Sequence, residues 1–136
     1  MLEVYSKNVV VAENGLIPLT NVKILKGRST QLSGASTIQF NKCGIYEVTV
    51  SGSVIGSAAG EIEVQLEKNG VIEPQAVSLI TAADATSLIP FSFTTLIQVP
   101  DSNNINCPCA ITTTIDIRNA GIEATYSTID VVAIRL

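Results

Sequence analysis

The chain has 136 residues, of which 46% are hydrophobic, 15% are charged and only 4% are aromatic. Typical domains have about 25% charged residues, so this composition predicts burial partly against copies of the same chain. A formal net charge of −4 argues against a nucleic-acid partner, which requires a basic face. No run approaches the roughly 18 apolar residues of a membrane span. Histidine is absent, which removes the commonest general base and metal ligand.

Alternating apolar and polar residues predict strands along most of the chain, because successive side chains of a strand point to opposite faces. In the clearest run, Tyr46, Val48 and Val50 share a face, and further along Asn69-Gly70 predicts a tight hairpin. Many short strands separated by turn residues predict one all-β sandwich domain over 1–136. The predicted strands are 2–12, two or three short pieces within 16–42, 45–55, 61–69, 72–81, 87–99, 111–118 and 123–136.

Two of these strands are apolar on both faces. In 87–99, Leu88 and Leu96 lie opposite the other apolar residues. In 123–136, alternation places Tyr126, Val132, Ile134 and Leu136 on one face and Ile129, Val131 and Ala133 on the other. A strand apolar on both sides is covered on both sides, so the sequence predicts a second layer, most simply another subunit.

Three segments carry a resemblance to a known fold family: Gly44 to Val50, Val64 to Gly70, and Asp130 to Ile134. Their order and spacing resemble the tumour-necrosis-factor-like superfamily, and more closely its complement-type (C-one-q) globular heads, including bacterial and phage versions. The resemblance implies a jelly roll of about ten strands in two antiparallel sheets, assembled as a homotrimer. It also implies that the following residues line the trimer interface or the core: Tyr46, Phe91, Phe93, Tyr126, Val132, Ile134 and Leu136.

Acidic side chains offer only weak candidates for chemistry. Glu61, Glu63 and Glu67 alternate along one strand, and we expect a solvated face, because nothing there separates their pKa values as glycoside cleavage requires. No calcium-binding loop pattern surrounds the aspartates at 84, 101, 116 and 130. The sequence therefore predicts neither an enzyme nor a cofactor.

The chain has three cysteines, so at least one of them cannot form a disulfide within the chain. Cys43 precedes one predicted strand, and Cys107 and Cys109 lie in a loop expected at the same end of the jelly roll. Three states stay open: reduced thiols, a disulfide from Cys43 to Cys107 or Cys109, and a zinc site with a fourth ligand from elsewhere.

The function expected from these features is a non-enzymatic, trimeric surface module, most specifically a phage virion protein that decorates a capsid or forms a fibre knob. The start of the chain lacks the pattern of a signal peptide, which fits assembly in the host cytoplasm and release by lysis. The expected partner is another viral structural protein. The alternatives are a receptor- or glycan-binding tip, or the head domain of a spore-surface or cell-surface protein, located outside the cell.

Overall fold

The computed structural model describes residues 1–100 and 113–136. Each long strand predicted from the sequence is present within two residues of its predicted ends, apart from 111 and 112, which lie outside the described residues. The described part of the chain contains no helix long and apolar enough to cross a membrane. The strands are β1 Leu2–Val11, β2 Gly15–Leu16, β3 Asn21–Leu25, β4 Thr30–Ser33, β5 Thr37–Phe40, β6 Gly44–Gly56, β7 Gly60–Lys68, β8 Val71–Ala82, β9 Ile89–Val99, β10 Thr113–Asn119 and β11 Ala124–Arg135.

The strands form two antiparallel sheets that pack face to face as a jelly roll. Sheet A has the order β3-β1-β11-β6-β9, and sheet B has the order β4-β5-β10-β7-β8, with β2 paired to β10. The hairpin predicted at Asn69-Gly70 joins β7 to β8, and both residues have positive φ angles, 52° and 81°. Chain neighbours such as β6 and β7 lie in different sheets, so most pairings join segments that are distant in sequence.

The core between the sheets is filled by the inward faces of both. In sheet A, Val4, Val48 and Val131 are fully buried, and in sheet B, Leu66 and Ile117 are fully buried. Aromatic rings occupy both ends of this core. The rings of Phe40 and Tyr46 lie 4.4 Å apart, and those of Phe91 and Tyr126 meet edge to face at 5.9 Å.

A β-bulge in β11 changes which residues share a face of that strand, so the predicted faces are wrong on one side of the bulge. Tyr126 pairs with Val54, but Thr128 pairs with the adjacent Ser53, so Ser127 is an extra residue. An extra residue shifts the side-chain alternation by one position. Tyr126 therefore points into the core with Ile129, Val131 and Ala133, and the prediction that it shares a face with Val132 and Ile134 is wrong.

Candidate interaction surface

The side of sheet A that faces away from sheet B is the candidate interaction surface, and we call it the outward face. Its members alternate along each strand with the buried core residues. They comprise Glu3, Tyr5 and Lys7 of β1, Thr128, Asp130, Val132 and Ile134 of β11, Glu47, Thr49, Ser51 and Ser53 of β6, and Ser92, Thr94, Leu96 and Gln98 of β9.

Large aliphatic side chains lie at one end of the outward face. Ile134 pairs across the sheet with Glu47, and Glu47 pairs with Leu96, so these three residues form one row. Leu96 is 59% exposed and Ile134 is 36% exposed. Val132 is half-buried one row away, and Leu136, which follows β11, is 71% exposed. Among the described residues, this end therefore presents exposed apolar side chains, as interaction surfaces do.

Small polar side chains occupy the middle of the same face. The hydroxyls of Thr49 and Thr94 are 3.1 Å apart across β6 and β9. In the next row, Ser51 pairs with Ser92. Because these side chains are short, another protein surface can approach this part of the sheet closely.

Charged groups are concentrated on β1, β3 and β11 at the other side of the face. The ammonium group of Lys23 in β3 lies 3.3 Å from Oε1 of Glu3. Asp130 pairs with Tyr5 across β1 and β11. An open depression of about 360 Å³ lies here, and its lining includes Tyr5, Lys7, Lys23 and Asp130.

A second depression adjoins the outward face at the edge of the sandwich. Its volume is about 710 Å³, and it lies between β8, with Glu73 and Pro74, and the Glu47, Thr94 and Leu96 side chains. The row formed by Ile134, Glu47 and Leu96 therefore continues into a groove at the β8–β9 edge.

The residues predicted for the interface or core divide between two locations. Tyr46 and Tyr126 are fully buried between the sheets, Phe91 is 7% exposed, and Phe93 is half-buried beside them. Val132 and Ile134 lie on the outward face, and Leu136 follows directly after it. The bulge separates Tyr126 from this second group. The interface role of these residues stays a prediction.

The described carboxylates among the weak candidates predicted from the sequence do not form one cluster, and Asp101 lies outside the described residues. Asp84 accepts hydrogen bonds within its own turn, and Asp116 accepts one of 2.6 Å from Thr37. Glu61 is exposed as predicted, but Glu67 is only 8% exposed, because Nε of Arg118 lies 2.6 Å from its carboxylate. The prediction of a fully solvated glutamate row is wrong at Glu67.

Cys43 is half-buried and directly precedes β6, where Gly44 pairs with Val99 at the end of β9. The end of β9 therefore lies beside Cys43. Cys107 and Cys109 lie outside the described residues. Among residues 1–100 and 113–136, no three histidine, cysteine, aspartate or glutamate side chains are grouped as a metal site would require. The state of the cysteines stays a prediction.

No protein-family model matches this sequence, and the search of curated proteins found no match. Solved structures do match. PRD1 vertex protein P5 has 15% identity and a TM-score of 0.58, with 99% of this chain and 95% of that chain covered. Eiger TNF from S. frugiperda has 14% identity, a TM-score of 0.64, and coverage of 99% and 92%. Murine APRIL has 10% identity, a TM-score of 0.62, and coverage of 99% and 98%.

At such identities these likenesses show the fold. The chain has the tumour-necrosis-factor-like jelly roll, as its sequence predicts. These neighbours are described as a vertex protein, a TNF and APRIL, and none of them is described as an enzyme.

Proposed function

We propose that this protein is a non-enzymatic, homotrimeric surface module, and most specifically a structural protein of a phage particle. The observation that carries the proposal is the full-length likeness to PRD1 vertex protein P5, which suggests a structural role in a virion. The chain and that protein cover each other almost completely, so the shared unit is the whole jelly roll. In this proposal the partner is another viral structural protein.

Exposed apolar side chains on the outward face of sheet A support the homotrimer. Leu96, Ile134 and Leu136 are exposed on or next to this face in the isolated chain. Burying each large aliphatic side chain is worth about 1.5–3 kcal/mol, and every such residue is repeated three times in a trimer. The resemblance noted in the sequence implies the same assembly around the same sheet.

A trimer suits attachment at a threefold position of a shell or at the tip of a trimeric fibre. Three equivalent weak contacts then act together, because the first contact makes the others effectively intramolecular. This reasoning favours a compact knob or decoration protein.

The absence of an enzymatic role is supported by the arrangement of acidic groups. The sequence has no histidine. Glu61 is exposed on sheet B, and Glu67 is held by Arg118. Asp116 pairs with Glu67 across β10 and β7, and it accepts a hydrogen bond from Thr37. Glu3 and Asp130 lie close together on the face that the homotrimer would cover.

The second candidate is a receptor- or glycan-binding module outside the cell, on a particle, a spore or a cell surface. The specific observation in its favour is the likeness to Eiger and APRIL, whose TM-scores of 0.64 and 0.62 exceed that of the vertex protein.

Two measurements test the proposal. Light scattering coupled to size exclusion measures the mass of the purified chain, and we expect three copies of 14.3 kDa. Mass spectrometry of purified virions is expected to detect the polypeptide. Its absence from particles, although its gene is expressed during infection, would reject the virion role. Saturable binding of the trimer to host cells or to a glycan array would then support the second candidate.

A further inference from the structure

Two carboxyl groups lie close together on the outward face of sheet A. Glu3 in β1 pairs with Val132 in β11, and Asp130, two residues earlier in β11, pairs with Tyr5. Glu3 and Asp130 are thus diagonal neighbours on one face, a position that separates Cα atoms by about 7–8 Å and lets side chains meet.

The pair is more enclosed than its place on an outward face suggests. Glu3 is only 8% exposed. Oδ1 of Asp130 is enclosed and accepts no hydrogen bond from any residue in the described ranges. Burial of a carboxylate oxygen without a hydrogen-bond donor costs free energy when the group is ionised.

The surroundings supply one close cation for two carboxyl groups. From β3, Lys23 lies 3.3 Å from Glu3 and its side chain is 60% exposed. From β1, Tyr5 pairs with Asp130, and Lys7 lies one row beyond it and is exposed. From β6, the residue opposite Asp130 is the uncharged Ser51.

These surroundings raise the pKa of Asp130 above its ordinary value. Burial is the largest cause, and the charge and hydrogen bonding of Glu3 raise the pKa further, while Lys23 lowers it. A proton on Asp130 removes the repulsion between the two groups and leaves Glu3 paired with Lys23.

We propose that Glu3 and Asp130 form a proton-controlled element of the self-association face, so that copies of this chain associate more tightly as the pH falls. This inference rests on the proposed homotrimer. When another subunit covers the face, the carboxyl groups lose water, and loss of water disfavours the charged form. Assembly therefore takes up protons, and by linkage a lower pH favours assembly.

The experiment measures subunit exchange between unlabelled and ¹⁵N-labelled trimers by native mass spectrometry at pH 5 and pH 8. For the wild-type chain, we expect exchange at least about tenfold faster at pH 8, since uptake of one proton per chain changes the association equilibrium up to about tenfold per pH unit, and changes in affinity appear mostly in the dissociation rate. Asp130→Asn keeps the shape of the protonated group, so we expect slow exchange that differs less than about twofold between the two pH values.

Two further variants complete the test. Glu3→Gln removes the charge that raises the pKa of Asp130, so it too should weaken the pH dependence. Glu61→Gln removes one exposed carboxylate from sheet B and should retain the wild-type dependence. Circular dichroism at both pH values identifies any variant that is unfolded.

The possible results separate this inference from the homotrimer itself. A wild-type chain that is monomeric at every pH would reject the proposed assembly. A trimer whose exchange is equally fast at both pH values, or undetectably slow at both, would reject the proton-controlled element and leave the assembly standing. Unchanged pH dependence in Asp130→Asn would also reject it.

Discussion

The hydroxyl of Tyr126 in β11 donates a hydrogen bond of 3.0 Å to the side-chain oxygen of Asn119 in β10, and both residues are fully buried. The side-chain nitrogen of Asn119, Nδ2, donates a hydrogen bond of 2.9 Å to the backbone oxygen of Ile122. The same nitrogen lies 3.3 Å from the backbone oxygens of Val11 and Ala12. This polar network therefore joins sheet A to sheet B at one end of the core.

Tyr126→Phe removes the only described donor to Oδ1 of Asn119 without changing the packing volume much. A buried acceptor left without a donor costs about 1–3 kcal/mol, so we expect the free energy of unfolding to fall by that amount. Burial raises the pKa of the Tyr126 hydroxyl far above its ordinary value, so the hydroxyl stays a donor at all ordinary pH values. Tyr5→Phe on the half-buried outward face is the matched control. Urea unfolding at one chain concentration measures the free energy of unfolding of both variants. An equal decrease in the two variants would contradict the stabilising role of the hydrogen bond from Tyr126 to Asn119.

Leu96→Asp should dissociate the proposed trimer while leaving the chain folded. Leu96 is 59% exposed in the isolated chain, so the substitution disturbs no core contact, yet it places a carboxylate beside Glu47 on the covered face. We also expect Val132→Asp to abolish assembly, because it places a carboxylate beside Glu3 on the same face. Light scattering should report one-third of the wild-type mass, with unchanged circular dichroism.

Glu63→Lys is the control for these assembly variants, because Glu63 lies on sheet B, on the opposite side of the sandwich. It should retain the wild-type mass. A trimeric Leu96→Asp, or a monomeric Glu63→Lys, would place the interface elsewhere.

Gly52→Ala should destabilise the fold at the bulge of β11. A Cβ at this position would lie 3.1 Å from Cα of Ile129, 3.1 Å from Cζ of Phe91, and well inside contact with the backbone oxygen of Thr128. Overpacking against backbone costs about 1–3 kcal/mol or more. Ser53→Ala, at the next and half-buried position, should change the melting temperature little by comparison. A stable Gly52→Ala would show that the bulge can shift.

Asp84 should titrate far below an ordinary aspartate. Its Oδ1 accepts hydrogen bonds from the backbone nitrogens of Thr86 and Ser87, each 2.8 Å away, and from the Thr86 hydroxyl. These bonds, the Thr86 backbone bond first, lower the pKa of Asp84 from 3.8 to about 2. Carbon-13 NMR titration of the carboxyl group measures this value directly.

The lowered pKa of Asp84 has a defined consequence for stability. The ionised carboxylate favours the folded chain above the unfolded-state pKa of 3.8, and this contribution is lost as the pH falls towards about 2. Wild type should therefore be more stable than Asp84→Asn above pH 3.8, and the difference should shrink below it. A difference that is constant from pH 2 to pH 6 would contradict this account.

Much of the fold was predictable because its signals are local. Alternation located the long strands, and Asn69-Gly70 located the β7–β8 hairpin, since each pattern depends on neighbours in sequence. The weakest predictions were in 16–42, where the strands are short, four residues in the case of β4 and β5. Short segments carry too few alternations to set their bounds.

The candidate surface and the surroundings of the carboxylates were predictable only in part. Leu96, Val132 and Ile134 were assigned to a second apolar face from sequence, and the structure places them on the outward face of sheet A. Glu67 was expected in solvent, but its partner Arg118 is 51 residues away in sequence. No local pattern indicates such a pairing.

The sequence by itself determined that this chain has few charges and forms many strands of a β-sandwich, because composition and periodicity act along the chain. The jelly roll was implied by the resemblance to a known fold family. Only the tertiary structure decided which residues meet across strands. The pairing of β1 with β11 brings Glu3 next to Asp130, although 126 residues separate them. The bulge at Ser127 turns Tyr126 inward, and this depends on register with β6. Register is the alignment of two paired strands, so it cannot be determined from the sequence of either strand alone.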